Sequence, residues 1–259
     1  MKTKRPLRNA LPWVANRLCP FLAALLVFFI LPDARGASLP AQTDALQQSL
    51  ALARYLASLE NGNLFERSGP VAISIEASLP GLYKGASLLA IRDHDESGGP
   101  KYYLLALGGD GTVLAEVISR YFAAQQMEHV PAFSTAITPV NYKFRFLGEV
   151  STSGTSAYIY RITPKKRRPG LLKGQVWMDS GSGAELMLTG RVAELSSVDG
   201  SADLVRETRL RNGSPSERVT HAAFALPNLG RAELVITESL LRPEGGGTDI
   251  ETTLSALVH

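Results

Sequence analysis

Tyr142-Lys143-Phe144-Arg145-Phe146 opens the stretch that decides the fold, which covers residues 142–191. Aromatic and basic residues alternate in it, and a period of two places the rings on one face of a strand and the charges on the other. Further apolar runs, each closed by turn residues, follow at 158–162, 175–179 and 185–188. The stretch therefore predicts neighbouring antiparallel strands with one strongly apolar face.

The rest of the chain extends this sheet and adds helices. Strand patterns occur at 71–76, 86–92, 101–107, 204–211, 218–226 and 231–241. Asn212-Gly213 is typical of a tight hairpin turn. Apolar residues at three- and four-residue steps predict helices over 41–59 and 112–127, and capping-box spacing predicts a short one near 248–258. We expect about nine or ten antiparallel strands with two or three helices, in a sheet that either closes or has one face covered.

The N-terminal residues are typical of a secretory signal. A basic lead precedes the apolar run from Phe21 to Leu31, and Ala34-Arg35-Gly36 supplies small residues at a cleavage point. The apolar run is about a dozen residues, shorter than the roughly 20 that span a bilayer, so cleavage after Gly36 is favoured over a retained anchor. The only cysteine, Cys19, precedes this run, so the expected mature chain has no disulfide. We predict a signal peptide at 1–36, a binding domain at 37–242, a Gly-rich hinge with a C-terminal tail at 243–259, and a periplasmic location.

The distribution of charge argues against a nucleic-acid partner. The whole chain has a formal charge of +3, but residues 1–36 contain six of its basic residues and one of its acidic ones. The remainder holds 21 basic and 23 acidic residues, a formal charge of −2. Because this part lacks both a basic excess and a nucleic-acid-binding motif, no nucleic-acid partner is expected.

Two segments of the deciding stretch carry a resemblance to a known family. Gly174-Gln175-Val176-Trp177-Met178-Asp179-Ser180-Gly181-Ser182-Gly183 resembles a hairpin of the periplasmic lipoprotein carrier and receptor family (LolA/LolB-like), where an aromatic-apolar-Asp triplet precedes a Gly-containing turn. Tyr158–Lys165 resembles the strand of that family that closes on a Pro-basic pair. More widely, residues 138–191, together with 77–80 and 230–234, are similar to uncharacterised secreted bacterial proteins near this fold.

The resemblance implies a curved antiparallel half-barrel of the α+β class, mainly β, with two or three helices that cover the concave face. It also implies a non-enzymatic carrier for a lipid or a lipidated protein, with lipoprotein sorting as the suggested role. In this family a basic residue within the concavity helps to control release, and Arg145, Arg161 and Arg191 are equal candidates here.

Aromatic and aliphatic side chains of the predicted strands are the candidate ligand-binding residues. They either line a lipid cavity or form ordinary core beneath the helices, and displacement of the helices would turn core into cavity. The expected lid is the helix at 112–127, because Gly108, Gly109 and Gly111 precede it and tolerate a change of backbone angles. The candidates are Tyr142, Phe144, Phe146, Tyr158, Tyr160, Ile162, Trp177, Leu186 and Leu188.

A basic run lies between two of the predicted strands. Lys165, Lys166, Arg167 and Arg168 are the candidate basic rim, suited to phosphate head groups at a membrane surface or to an acidic partner protein. The alternative is a solvated loop.

Little in the sequence indicates catalysis. Asp93-His94-Asp95-Glu96 has the residue types of a metal or acid-base site, but no second His lies nearby and a Gly-Gly-Pro turn follows. His221 is expected to be half-buried in the wall of the sheet, and Gly108-Gly109-Asp110-Gly111 lacks the spacing of a phosphate-binding loop. We therefore predict no enzymatic activity, no metal and no cofactor. The alternatives to lipid binding are an envelope protein-interaction or sensory module, and a hydrolase centred on Asp93, His94 and Asp95.

Overall fold

The alternating runs of the sequence form ten strands. The computed structural model describes residues 43–60, 69–94, 100–122, 136–152, 155–168, 170–193 and 201–241. The strands are β1 (Val71–Leu79), β2 (Lys84–His94), β3 (Pro100–Gly109), β4 (Tyr142–Thr152), β5 (Thr155–Pro164), β6 (Leu172–Asp179), β7 (Glu185–Val192), β8 (Ala202–Arg211), β9 (Ser214–Leu226) and β10 (Gly230–Leu240). They form one antiparallel sheet in the order β3-β2-β1-β10-β9-β8-β7-β6-β5-β4. The sheet is curved and unclosed, so the predicted half-barrel is confirmed.

The order of the strands leaves β3 and β4 at the two edges of the sheet. β1 to β3 and β4 to β10 are each runs of sequential neighbours, and the pairing of β1 with β10 joins them. The edge strand β3 is exposed throughout Lys101–Gly109 and carries large apolar side chains such as Leu104, 58% exposed. The apolar core therefore lies against the central strands and against the half that ends at β4.

Glycines allow a close approach of two strands on the concave face. Gly174 of β6 lies opposite Gly190 of β7. A Cβ atom on Gly174 would lie 1.9 Å from the carbonyl oxygen of Thr189, and one on Gly190 would lie 2.4 Å from the oxygen of Lys173. Only glycine fits at this crossing. At the β8–β9 turn, Asn212 and Gly213 have φ of 54° and 75°, as the predicted hairpin requires.

A long helix, α1, spans Thr43–Glu60 and covers β4 to β7. Ala51 and Tyr55 are buried against the sheet one turn apart, and Leu52, Leu56 and Leu59 pack beside them. This is the apolar stripe that the sequence predicts. On its other side α1 exposes Leu46 and Leu50, at 64% and 53%.

A shorter helix, α2, starts at Gly111–Val113, passes through a π-helical segment at Leu114–Ile118 and continues to residue 122. Its start is fixed, because the Asp110 side chain accepts from the Thr112 amide at 2.8 Å and pairs with Lys84 at 3.2 Å. Val113, Val117 and Ile118 are buried in the core. These anchors differ from the movable lid expected for this helix. Of the three glycines before it, Gly109 allows close packing of β3 on β2, because a Cβ there would lie 2.4 Å from the Cα of Ala86.

Several predictions fall outside the described residues: the signal peptide at 1–36, the end of the 112–127 helix, the Gly-rich hinge with its tail, and the 248–258 helix. Of the helices that the structure describes, none has the length and apolar character needed to cross a membrane. A single 3₁₀ turn, Pro80–Leu82, connects β1 to β2.

Two apolar clusters occupy the concave face. The α2 cluster joins α2 to β1, β2 and β10, with Ile73, Ile75 and Ile236 among its buried members. The α1 cluster joins α1 to β4, β5, β6 and β7. Between them lie β8 and β9, which carry polar residues on the same face.

Candidate functional site

The α1 cluster contains most of the residues predicted to bind a ligand. Tyr142, Tyr158, Tyr160, Ile162 and Leu188 are all buried in it, and Phe144 and Phe146 pack against it. Register explains the grouping: Phe146 lies opposite Tyr160, which lies opposite Val176, so all three point to the same face. While α1 lies on the sheet, these side chains are part of the buried core.

The rings of the α1 cluster contact one another edge to face. Phe146 lies 5.6 Å from Tyr160 and 6.0 Å from Tyr158, measured between ring centroids, and Phe144 lies 6.3 Å from Tyr160. Such geometry is favourable for aromatic pairs. The cluster is a wide apolar surface on β4 and β5 rather than a set of isolated side chains.

Trp177 and Leu186 differ from the expected lining. The buried neighbours of Trp177 are Val176 and Met178, so alternation turns the indole to the opposite face. There Trp177 lies opposite Ile159 and Met187, and its Nε1 is buried without a hydrogen-bond partner. Leu186 occupies the register shift between β6 and β7 and is half-buried.

Polar contacts fasten α1 to the sheet at two places. The Tyr160 hydroxyl donates to the carbonyl oxygen of Gln48 at 2.7 Å. At the β6–β7 turn, the Arg54 guanidinium donates to the carbonyl oxygens of Ser180 and Gly181, at 3.2 and 2.7 Å. The same turn packs directly under the helix, because a Cβ on Gly183 would lie 2.6 Å from the backbone nitrogen of Tyr55.

The phenols under α1 are neutral. Burial raises the pKa of Tyr160 to about 12, and burial also raises the pKa of Tyr142. For Tyr55, burial raises the pKa above its ordinary value and the Glu185 carboxylate raises it further. The surface that α1 covers therefore carries no phenolate charge at neutral pH.

Three arginines on the concave face were missed by sequence reasoning. Arg206 makes a two-pronged ion pair with Glu185, with Nε to Oε1 at 2.8 Å and Nη2 to Oε2 at 2.9 Å. Glu238 lies between Arg92 and Arg218, with nitrogen to oxygen distances of 3.1 and 3.7 Å. These side chains are 28% exposed or less. Arg92 reaches Glu238 through the non-sequential pairing of β1 with β10, so local alternation does not reveal that these two residues meet.

The three arginines that were predicted as candidates for release control lie elsewhere. Arg145, Arg161 and Arg191 are exposed on the face opposite the α1 cluster. Arg191 pairs there with Asp203 at 2.8 Å. Their neighbours along each strand, such as Tyr160 and Ile162 beside Arg161, face the concave side, so alternation turns the arginines outward.

The basic rim lies at the end of β5 and β6 away from the β6–β7 turn, and all four of its side chains are exposed. Lys165 donates through Nζ to the carbonyl oxygen of Pro139, and Arg168 donates to the Oδ1 of Asn141 at 2.8 Å. Asn141 is buried and holds the backbone of Lys165 as well. Two members of the run thus shape the loop, while Lys166 and Arg167 face solvent.

The segment weighed for catalysis lies only partly within the described residues. In the part of the chain that the structure describes, no group of three or more His, Cys, Asp or Glu residues could hold a metal ion. Asp93 and His94 end β2, and Asp95 and Glu96 lie outside the described residues. His221 is exposed rather than half-buried, because it lies on the outward face of β9.

No protein-family model and no curated protein matches this sequence. Among solved structures, a DUF1329 family protein from Desulfovibrio piger is 13% identical, over 81% of this chain and 98% of that one, with a TM-score of 0.39. A LolA superfamily protein from Nitrosomonas europaea is 12% identical, over 68% and 87%, with a TM-score of 0.28. The MucA/MucB complex of Pseudomonas aeruginosa contains a chain that is 12% identical, over 72% and 93%, with a TM-score of 0.28. At these TM-scores the similarities assign no function to this chain, whose function is argued from its own residues.

Proposed function

We propose that this chain is a non-enzymatic binding protein of the bacterial periplasm that holds a lipid acyl chain against the α1 cluster. The observation that carries the proposal is the relation between α1 and the rings beneath it. One helix covers a wide, uncharged aromatic surface and is fastened to it by polar contacts at Tyr160 and at the β6–β7 turn. If α1 moves aside, the α1 cluster becomes an open groove that is lined by aromatic and aliphatic side chains.

Burial of an acyl chain offsets part of the cost of moving α1 off the sheet. Burial of a large apolar side chain is worth about 1.5–3 kcal/mol, and burial of one CH₂ group about 0.8 kcal/mol. An acyl chain of about a dozen carbons therefore offsets the exposure of Leu52, Leu56 and Leu59, which pack against the α1 cluster. The exchange of helix for ligand requires no change in the strand pairing.

The outward side of α1 supports contact with a membrane surface. Leu46 and Leu50 are more than half exposed and lie one turn apart. A helix with apolar residues on this side can enter the boundary between head groups and acyl chains. Such contact would draw α1 away from the sheet at the place where a lipid cargo is collected or delivered, which suits a lipoprotein-sorting role.

The first test is direct. The chain without residues 1–36 is purified under native conditions, extracted with organic solvent and examined by mass spectrometry, and uptake of a fluorescent acylated probe is measured in parallel. We expect co-purified lipid or saturable probe binding. The absence of both would contradict the proposal.

A matched pair of variants on β4 locates the site. Phe146→Asp places a carboxylate at the α1 cluster, whereas Leu147→Asp places it at the next residue, which is 39% exposed. We expect Phe146→Asp to weaken probe binding at least about tenfold and Leu147→Asp to change it less than about twofold. Thermal unfolding of both variants separates loss of binding from loss of fold. Equal effects would argue against the α1 cluster as the binding surface.

The basic rim favours a second function, recognition of an acidic envelope protein. Lys166 and Arg167 are exposed at one end of the sheet, away from the Arg54 fastening of α1. Their double replacement, Lys166→Glu with Arg167→Glu, distinguishes the two functions. Loss of a captured protein partner with unchanged acyl-probe uptake would favour the interaction module.

A further inference from the structure

Positive charge is concentrated at one end of the strands β4 to β8. β4, β6 and β8 begin at this end, and β5 and β7 finish there. The described charged residues within two positions of these strand ends, or in the loop between β5 and β6, have a formal charge of +6. They are Lys143, Lys165, Lys166, Arg167, Arg168, Lys173, Arg191 and Asp203. We call this region the basic end of the sheet.

The opposite end of the same strands has no such excess. By the same rule it contains Asp179, Glu185 and Arg211, with a formal charge of −1. The sequence after residue 36 has a formal charge of −2 as a whole. The basic end is therefore a local concentration of cations on a chain that is otherwise slightly acidic.

Neighbouring acidic residues do not neutralise the basic end. Arg191 pairs with Asp203 at 2.8 Å, and none of the other six cations has an acidic partner in the part of the chain that the structure describes. The sequence segments that adjoin this end, 123–135 and 194–200, contain Glu128, Glu194 and Asp199 as their only acidic residues. An excess of positive charge remains even when these three are all counted against it.

An apolar turn projects from the basic end, directly before β4. Residues 138–141 form this turn, in which the Asn141 amide donates to the carbonyl oxygen of Thr138 at 3.0 Å. Pro139 and Val140 are its two central residues, and proline is favoured at the first of these positions because its φ angle is already fixed. Val140 is 81% exposed. An apolar side chain thus lies in solvent at the tip of the turn.

Hydrogen bonds join the turn to the basic rim. Lys165 donates through Nζ to the carbonyl oxygen of Pro139 and through its amide to that of Asn141. Arg168 donates to the Oδ1 of Asn141 at 2.8 Å, and Asn141 itself is only 4% exposed. Val140 and the cations are therefore presented together on one preformed surface, which lowers the cost of ordering side chains when a partner binds.

We propose that the basic end is a docking surface for a membrane that contains anionic lipid, with Val140 at the boundary between head groups and acyl chains. Lys166 and Arg167 extend into solvent and supply cations for lipid phosphates. A Lys or Arg near an anionic bilayer strengthens binding about fivefold. The charges alone would match an acidic protein, whereas an exposed apolar tip among cations matches a lipid surface, which offers both kinds of contact.

This docking goes beyond the proposed acyl-chain function, because it uses residues outside the α1 cluster. The experiment measures co-sedimentation of the chain used in the acyl-probe test with vesicles of phosphatidylcholine alone, or of equal parts of phosphatidylcholine and phosphatidylglycerol. We expect at least about tenfold tighter binding to the anionic vesicles, and we expect added salt to reduce this preference.

Two variants remove the two kinds of contact separately. Lys166→Gln with Arg167→Gln is expected to weaken binding to the anionic vesicles about 25-fold, since two cations are lost. Val140→Ser is expected to weaken it about threefold, and Val140→Leu is expected to retain it. Lys165 and Arg168 are left unchanged because they shape the loop.

Arg209→Gln with Arg211→Gln is the matched control. It changes the net charge by the same amount, but both residues lie near the opposite end of β8, and Arg209 is 63% exposed. We expect this variant to change vesicle binding less than about twofold. An equal loss in the two double variants would overturn the proposal, since net charge and not the basic end would then govern binding.

Two further outcomes would overturn the docking surface. One is equal binding of the wild type to neutral and anionic vesicles. The other is binding of soluble polyglutamate, but not of vesicles, that is lost in Lys166→Gln with Arg167→Gln, because the basic end would then recognise an acidic protein. Acyl-probe uptake is expected to be unchanged in all these variants. Failure of vesicle docking therefore leaves the proposed function intact, and absence of acyl uptake with intact docking contradicts the proposed function alone.

Discussion

At the scale of a single residue, Tyr160 connects the sheet to the helix α1. Its ring belongs to the aromatic surface of β4 and β5, its side chain is almost inaccessible, and its hydroxyl donates to Gln48 of α1. The phenol therefore contributes to stability both through burial and through a hydrogen bond that holds α1. Its ionisation would break both, because a phenolate cannot donate and is costly to bury.

The pH dependence of stability follows from the raised pKa of Tyr160. In the folded state this pKa is about 12, against 10.0 for an ordinary tyrosine. The stability due to the buried phenol is therefore complete below pH 10 and is lost as the pH rises from 10 to 12. We expect Tyr160→Phe to lower the free energy of unfolding by about 1 kcal/mol at pH 8 and to make its decline between pH 10 and 12 less steep.

Denaturant unfolding from pH 8 to 12 checks this prediction. Tyr83→Phe is the control, since Tyr83 is 99% exposed and its replacement is expected to change neither quantity. A decline of equal slope in the Tyr160→Phe variant would contradict the assignment of the titration to Tyr160.

Residue-scale predictions from sequence succeed where local alternation decides the face. Tyr142, Phe144 and Phe146 share one face as predicted, because their strand is regular between them. Trp177 was grouped with the same face by residue type, although its own neighbours Val176 and Met178 are the ones that alternation buries. The Arg92–Glu238 contact is beyond local reasoning, because it depends on the pairing of β1 with β10, more than 150 residues apart in the chain.

At the scale of elements, α1 and α2 are held in different ways. α2 has a capped start and three buried aliphatic side chains, and it is continuous with β3. α1 contacts the sheet through one apolar stripe of side chains, and Gly183 lies directly beneath Tyr55. The sequence predicts both helices from their periodicity, but it does not indicate that α2 is held by a capped start and α1 by a single apolar stripe. Glycines before a helix indicate freedom only where the structure does not use them for close packing, as it does at Gly109.

Gly183 is the position at which α1 can be lifted without disturbing the strands. A Cβ there would lie 2.6 Å from Arg54 Cβ and from the Tyr55 nitrogen. We expect Gly183→Val to displace α1, to raise the fluorescence of a dye that binds exposed apolar surface, and to leave the β-sheet circular dichroism unchanged. Acyl-probe binding is expected to become tighter, because less of the binding energy is spent on moving the helix.

Gly213→Val is the matched control for this variant. Gly183 and Gly213 have nearly equal φ, 74° and 75°, so both substitutions strain the backbone alike, but nothing lies within 4 Å of a Cβ at Gly213. A response of the same size in both variants would mean that backbone strain, and not contact with α1, causes the change.

At the scale of the whole molecule, one open sheet carries two covered apolar clusters and a polar strip between them. The fold class was predictable because ten strands with turn signals are strictly local patterns, and the requirement to cover one face of an unclosed sheet is general. The closing of β10 onto β1 was not, since a non-sequential pairing leaves no local trace. The polar strip lies on β8, β9 and β10, and the pairing of β1 with β10 brings Arg92 of β2 to Glu238 at its border.

The division of the concave face assigns different tasks to its parts. Under the proposed function, the α2 cluster is a fixed core and the α1 cluster is a core that an acyl chain can replace. The proposed function thus depends on whether α1 leaves its place when an acyl chain binds.

A reversible tether on α1 tests this most directly. Arg54→Cys with Gly183→Cys, in a chain that lacks Cys19, places two thiols where the Cβ atoms would be 2.6 Å apart before adjustment, against about 3.8 Å in a disulfide. The measurement is the affinity for a fluorescent acylated probe with the disulfide formed and after its reduction. The account predicts that the oxidised protein binds the probe at least about tenfold more weakly than the reduced one, and that reduction restores binding. Equal affinity in the two states would contradict it, since an acyl chain would then bind without displacing α1.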